Sequence, residues 1–71
     1  MSQHIELSRR ERQIMDSIYS RGEATVLEIQ CDLPNPPTPT AIRTMLRILM
    51  EKSIVSRHKR GREFVYAFFF F

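Results

Sequence analysis

The stretch TPTAIRTMLRILMEK, residues Thr38 to Lys52, carries two messages at one spacing. Ile42, Met45, Leu46, Leu49 and Met50 recur at i, i+3, i+4, i+7 and i+8, which is one buried stripe of an α-helix. The same spacing leaves Thr40, Arg43, Thr44, Arg47 and Glu51 on the opposite side. Thr38 suits the N-cap and Pro39 the first helical position, where a missing N–H costs nothing. The pattern predicts a helix over about Pro39 to Lys52, roughly 21 Å long at the standard rise. Its wet face reads Thr, Arg, Thr, Arg near the N-terminus. Arginine is the commonest side chain for bidentate reading of guanine, and threonine contacts bases, the thymine methyl or phosphate. The helix N-terminus itself favours a phosphate oxygen. The plain alternative is an ordinary solvated basic face.

Upstream, PNPPTPT breaks the helical pattern, because Pro34, Pro36 and Pro37 hold the chain extended. Before that lie two helix-start signals of one kind. Ser8 with Glu11 and Thr25 with Glu28 have the spacing of reciprocal capping boxes. They predict a first helix from about Arg9 to Arg21, closed by Gly22, and a short second helix from about Val26 to Asp32. Ile14, Met15, Ile18 and Tyr19 fall on the inward stripe of the first, and Val26, Ile29 and Leu33 point inward from the second. Glu23 to Thr25 offer a short extended segment to a small sheet. Cys31 reads as a small buried or half-buried residue.

Downstream of Ser53 the period changes to alternation. Ile54 to His58 reads as a strand, Lys59 to Arg62 as a turn centred on Gly61, and Glu63 to Phe69 as a returning strand rich in aromatic residues. The hairpin has a cationic tip made of Lys59, Arg60 and Arg62.

Length and charge narrow the function. A chain of 71 residues reads as one domain spanning residues 1–71, since so short a chain buries only about 60% of its unfolded surface. No apolar run approaches the roughly 20 residues that span a bilayer, so no membrane partner is expected. MSQHIELSRRER lacks the apolar stretch of a secretory leader, and the single cysteine permits no intrachain disulfide; both argue for the cytoplasm. Residues 1–37 hold four arginines against six acids, whereas residues 38–71 hold seven basic residues against two acids. The positive field therefore belongs to the C-terminal half and favours a polyanion.

Other chemistry finds little support. His4, His58 and Cys31 lack close metal-ligand spacing, so neither a metal nor another cofactor is expected. Gly22 and Gly61 are the only glycines and both have turn roles, which leaves no phosphate-cradling loop. The serines and acids sit at caps or on exposed faces, and no catalytic residue is expected.

Three helices followed by a hairpin with a basic turn give an α+β fold with the layout of a winged helix-turn-helix. In that layout the third helix enters the major groove of double-stranded DNA and the hairpin touches the flanking backbone. LSRRERQIMDSIYSRGEATVLEI, TAIRTMLRILMEKSIVSR and GREFVYAF, in this order and with these gaps, resemble the DNA-binding half of the penicillinase-repressor family of winged-helix repressors of bacterial β-lactamase and related genes. The similarity runs from about Leu7 to Phe68. It implies a dimeric repressor on a palindromic operator, with Thr38, Thr40, Arg43, Thr44 and Arg47 towards DNA and Arg60 and Arg62 on the wing. The family commonly continues past the wing into a helical dimerisation region, whereas this sequence runs to Phe71, so the resemblance carries the DNA-binding half alone. The family usually has glycine where Ser53 stands.

In the tail, Phe64, Tyr66, Phe68 and Phe70 alternate with Val65, Ala67, Phe69 and Phe71, so one set is expected on the core and the other free for a partner. Four consecutive phenylalanines without a charged gatekeeper invite self-association. A second reading of the chain is thus a winged-helix protein-interaction module that uses this tail.

Overall fold

Ser8 opens the first helix as its spacing to Glu11 predicts. The Glu11 N–H donates to Ser8 Oγ at 3.1 Å, and the Ser8 N–H donates to the Glu11 carboxylate at 3.0 Å. In the computed structural model, which describes residues 8–69, α1 spans Arg9–Arg21, α2 Val26–Asp32, α3 Pro39–Glu51, β1 Val55–Arg60 and β2 Glu63–Phe68. His4, Phe70 and Phe71 lie outside the described residues. The second capping box forms likewise between Thr25 and Glu28, at 2.9 and 3.2 Å.

The three helices and the hairpin close on one core. Ile14 and Ile18 of α1, Ile29 of α2 and Ile42, Leu46 and Leu49 of α3 have no exposed surface, and Val55 and Tyr66 join them from the hairpin. The α1 stripe is rotated from its predicted position. Ile14 and Ile18 are buried, but Tyr19 is 80% exposed, and the buried flank of the helix is taken by Ser17. The cause is polar: the Ser17 hydroxyl donates to Asp32 Oδ2 at 2.7 Å, which turns that edge towards α2 and leaves Tyr19 beside Phe68, ring centroids 6.4 Å apart. Cys31, expected at least half buried, is exposed on the outer side of α2.

Asp32 also takes two hydrogen bonds from the Arg21 guanidinium, at 2.7 and 2.9 Å, so one carboxylate ties the end of α1 to the end of α2. Arg21 first, and Ser17 after it, hold the Asp32 carboxyl below its ordinary 3.8, at about 2. A depressed carboxyl contributes stability above its unfolded pKa and loses it as pH falls through the folded one. The expected loss lies between about pH 4 and pH 2 and is small, because the pair is open to solvent. Urea midpoints measured down this range should fall less in Asp32→Asn than in the parent.

Helix α3 ends one residue before the predicted Lys52, in a Schellman arrangement. The Ile54 N–H donates to the Leu49 carbonyl and the Ser53 N–H to the Met50 carbonyl, both at 3.0 Å. Ser53 occupies the left-handed position this requires, with φ 61°. A side chain there is strained, and glycine relieves the strain at some cost in unfolded-state entropy. Ser53→Gly is expected to stabilise by about 0.5 kcal/mol, raising Tm by about 2–4 °C.

The hairpin is antiparallel, with Arg57 opposite Tyr66, Lys59 opposite Phe64 and Arg60 opposite Glu63. Its turn is tighter than the four residues predicted, because Lys59 and Arg60 pair within the strand and only Gly61 and Arg62 remain as the loop. Gly61, with φ 65°, supplies the positive φ that a two-residue connection needs at its first position. On its other edge β2 takes the extended segment predicted near Glu23: Ala24 and Tyr66 exchange backbone hydrogen bonds at 2.9 and 2.8 Å. The predicted one-sided alternation does not hold along β2. Val65 is fully buried and Tyr66 nearly so, although they face opposite ways, while Phe69 remains 45% exposed.

Candidate nucleic-acid interface

The position of α3 is set by the proline segment before it. Arg10 of α1 donates to the carbonyls of Pro34, at 2.7 Å, and Asn35, while Gln30 of α2 donates to the Pro37 carbonyl at 3.0 Å. These bonds fix a stretch that cannot form its own helical ladder, and so fix the angle at which α3 leaves it. Thr38 then caps the helix, its hydroxyl accepting from the Ala41 N–H at 3.1 Å, with Pro39 in the first turn.

Thr40, Arg43, Thr44 and Arg47 are all exposed on the side of α3 away from the core. Thr44 donates back to the Thr40 carbonyl at 3.1 Å. Arg47 has only a loose pairing with Glu51, one turn on, at 3.9 Å with both side chains about two-thirds exposed. Arg43 has no carboxylate partner among the described residues.

The wing splits its basic residues between two faces. Arg57 and Lys59 share a face with Phe64 and Tyr66, the face turned to α3. Arg60 is on the other face, where Glu23 holds it at 3.2 Å and approaches His58 at 3.8 Å. Arg62, in the turn, lines a groove with Arg43, Arg57 and Glu63 beside the start of α2. A second groove, between α3 and the hairpin, is lined by Thr40, Arg43, Thr44, Arg47, Arg57 and Tyr66. The eight residues singled out in the sequence are therefore not one patch. Thr40, Arg43, Thr44 and Arg47 form a row on α3, Thr38 stands at its start, Lys59 lies opposite Phe64 in the hairpin, Arg62 lines the groove beside the start of α2, and Arg60 is turned away to Glu23.

Sequence reasoning missed Arg57, which borders both grooves. Alternation puts it on one strand face with Val55 and Lys59, and only the fold shows that this face meets α3.

The model of the penicillinase repressor family matches residues 7–69. The chain belongs to the penicillinase repressor family. A solved structure described as "CopR Repressor Structure" matches with a TM-score of 0.77 and 33% identity, over 94% of this chain and all of that one. No curated protein matches. Family membership and the winged helix-turn-helix together give the chain a DNA-binding role in transcriptional repression, and the relatives are repressors rather than enzymes. This member of the penicillinase repressor family keeps the fold with Ser53 at the left-handed helix end, since a Schellman motif tolerates a strained non-glycine residue there. No described helix is long and apolar enough to cross a membrane.

Proposed function

We propose that this domain represses transcription by binding a palindromic operator in double-stranded DNA as a homodimer in the bacterial cytoplasm, with α3 in the major groove. Arg43 and Arg47, one helical turn apart, read base edges, and Thr40 and Thr44 pack beside them against bases or phosphate. Thr38 and the start of α3 face the backbone. Lys59, Arg60 and Arg62 bring the wing to the flanking phosphates, Arg60 exchanging Glu23 for a phosphate on binding.

One observation carries this reading. Arg43 and Arg47 stand on an exposed helix face beside further cations, and of the two only Arg47 has a carboxylate nearby, in a solvent-exposed pair that holds it weakly. Arg10 and Arg21, in contrast, are fully engaged in holding the fold together.

Selection from a random pool followed by titration tests it. The chain should prefer its selected duplex over a scrambled one, and raising salt from about 50 to about 200 mM should weaken both steeply. Equal, salt-insensitive affinity for the two would contradict it.

A further inference from the structure

We propose that Arg57 is a phosphate clamp at the seam between α3 and the wing, held in position by stacking on Phe64; the inference rests on the DNA-binding reading above. The Arg57 guanidinium lies 4.0 Å from the centroid of the Phe64 ring. Lys59, directly opposite Phe64 in the hairpin register, lies 6.0 Å from it. Among the described residues no carboxylate pairs with Arg57, whereas Arg60, three residues on, is tied to Glu23.

Stacking is a particular way to hold an arginine. The ring takes up one face of the guanidinium and leaves the N–H groups around its edge available, and it removes part of the rotamer freedom that a free arginine loses on binding. The edge donors match the oxygens of a phosphate. Location decides between base and backbone. Arg57 is set back on the strand that flanks α3, bordering both the groove with Arg43 and Arg47 and the groove with Arg62. A cation placed between the reading helix and the wing meets the sugar–phosphate strand that passes between them, while Arg43 and Arg47 on the helix face are nearer the bases. Phe64, 38% exposed, is on this reading a positioning residue rather than a core residue.

The test uses the whole chain, its selected duplex and a scrambled duplex, with folding of each variant confirmed by its far-ultraviolet spectrum. Arg57→Gln is expected to weaken both duplexes alike, about fivefold, and to reduce the salt slope by about one. Arg57→Lys, which keeps the charge and loses the planar fork, should fall between. Phe64→Leu should weaken binding about threefold by itself and add nothing once Arg57 is Gln, the coupling expected of a residue acting through another. If Arg57→Gln binds within twofold of the parent while Arg43→Ala/Arg47→Ala loses the selected site, the clamp is overturned and the α3 reading stands. If Arg57→Gln weakens only the selected duplex, the residue reads bases and the backbone role is overturned. A parent that binds neither duplex overturns the clamp and the DNA-binding reading together.

Discussion

Arg43→Ala/Arg47→Ala is expected to lose about 100-fold in affinity for the selected duplex, roughly 1.4 kcal/mol per arginine, with a much smaller loss on scrambled DNA. The two losses should nearly add, because side chains one turn apart reach different base pairs. The fold should be unaffected. Both positions are exposed, alanine is the best helix former, and the ion pair removed among the described residues is the 3.9 Å contact of Arg47 with Glu51, worth at most a few tenths of a kcal/mol. Parallel titrations with unchanged melting curves check this. An equal loss on both duplexes would show that the pair contributes charge and no readout.

The second large effect concerns stability. Leu46→Ala removes a fully buried side chain from the middle of α3 and is expected to cost about 3 kcal/mol. A core this small rarely supplies more than about 3–5 kcal/mol in total, so the variant should retain at most about 2 kcal/mol of its stability. Tyr19→Ala, at the position the sequence pattern placed on the core, should cost less than about 0.5 kcal/mol because Tyr19 is 80% exposed. Urea titrations of the two variants separate these cases. Equal destabilisation would mean that Tyr19 packs in solution as the sequence pattern suggested.

Those two residues show what sequence alone reveals here. Helix starts are legible because a capping box is a local device: Ser8 and Glu11, or Thr25 and Glu28, need no information from elsewhere in the chain. The α3 stripe is legible because its apolar and polar sides are cleanly divided. Tyr19 is not, since its exposure follows from Ser17 reaching Asp32, fifteen residues away. The wing is read in outline only. A glycine in KRGR announces a turn, but the two-residue connection depends on pairing that the sequence does not display.

The binding face divides in the same way. Thr40, Arg43, Thr44 and Arg47 follow from helical periodicity. Arg57 does not, because alternation sorts a strand into two faces without saying which face meets α3. At the centre of β2 the usual contrast is missing altogether, since Val65 and Tyr66, on opposite faces, are both buried. Arg60 is a different case: its charge is obvious, but its pairing with Glu23 depends on a contact across 37 positions of sequence.

The most direct test of major-groove reading by α3 changes the DNA and leaves the protein alone. Replacing the guanines of the selected site by 7-deazaguanine removes the N7 acceptor from the major groove, and replacing them by inosine removes the N2 amino donor from the minor groove. If Arg43 and Arg47 read guanine, 7-deazaguanine at the contacted positions should weaken binding by about tenfold each, and inosine there should change it by less than about threefold. The reverse pattern, with inosine harmful and 7-deazaguanine neutral, would place the protein in the minor groove and contradict the role assigned to α3.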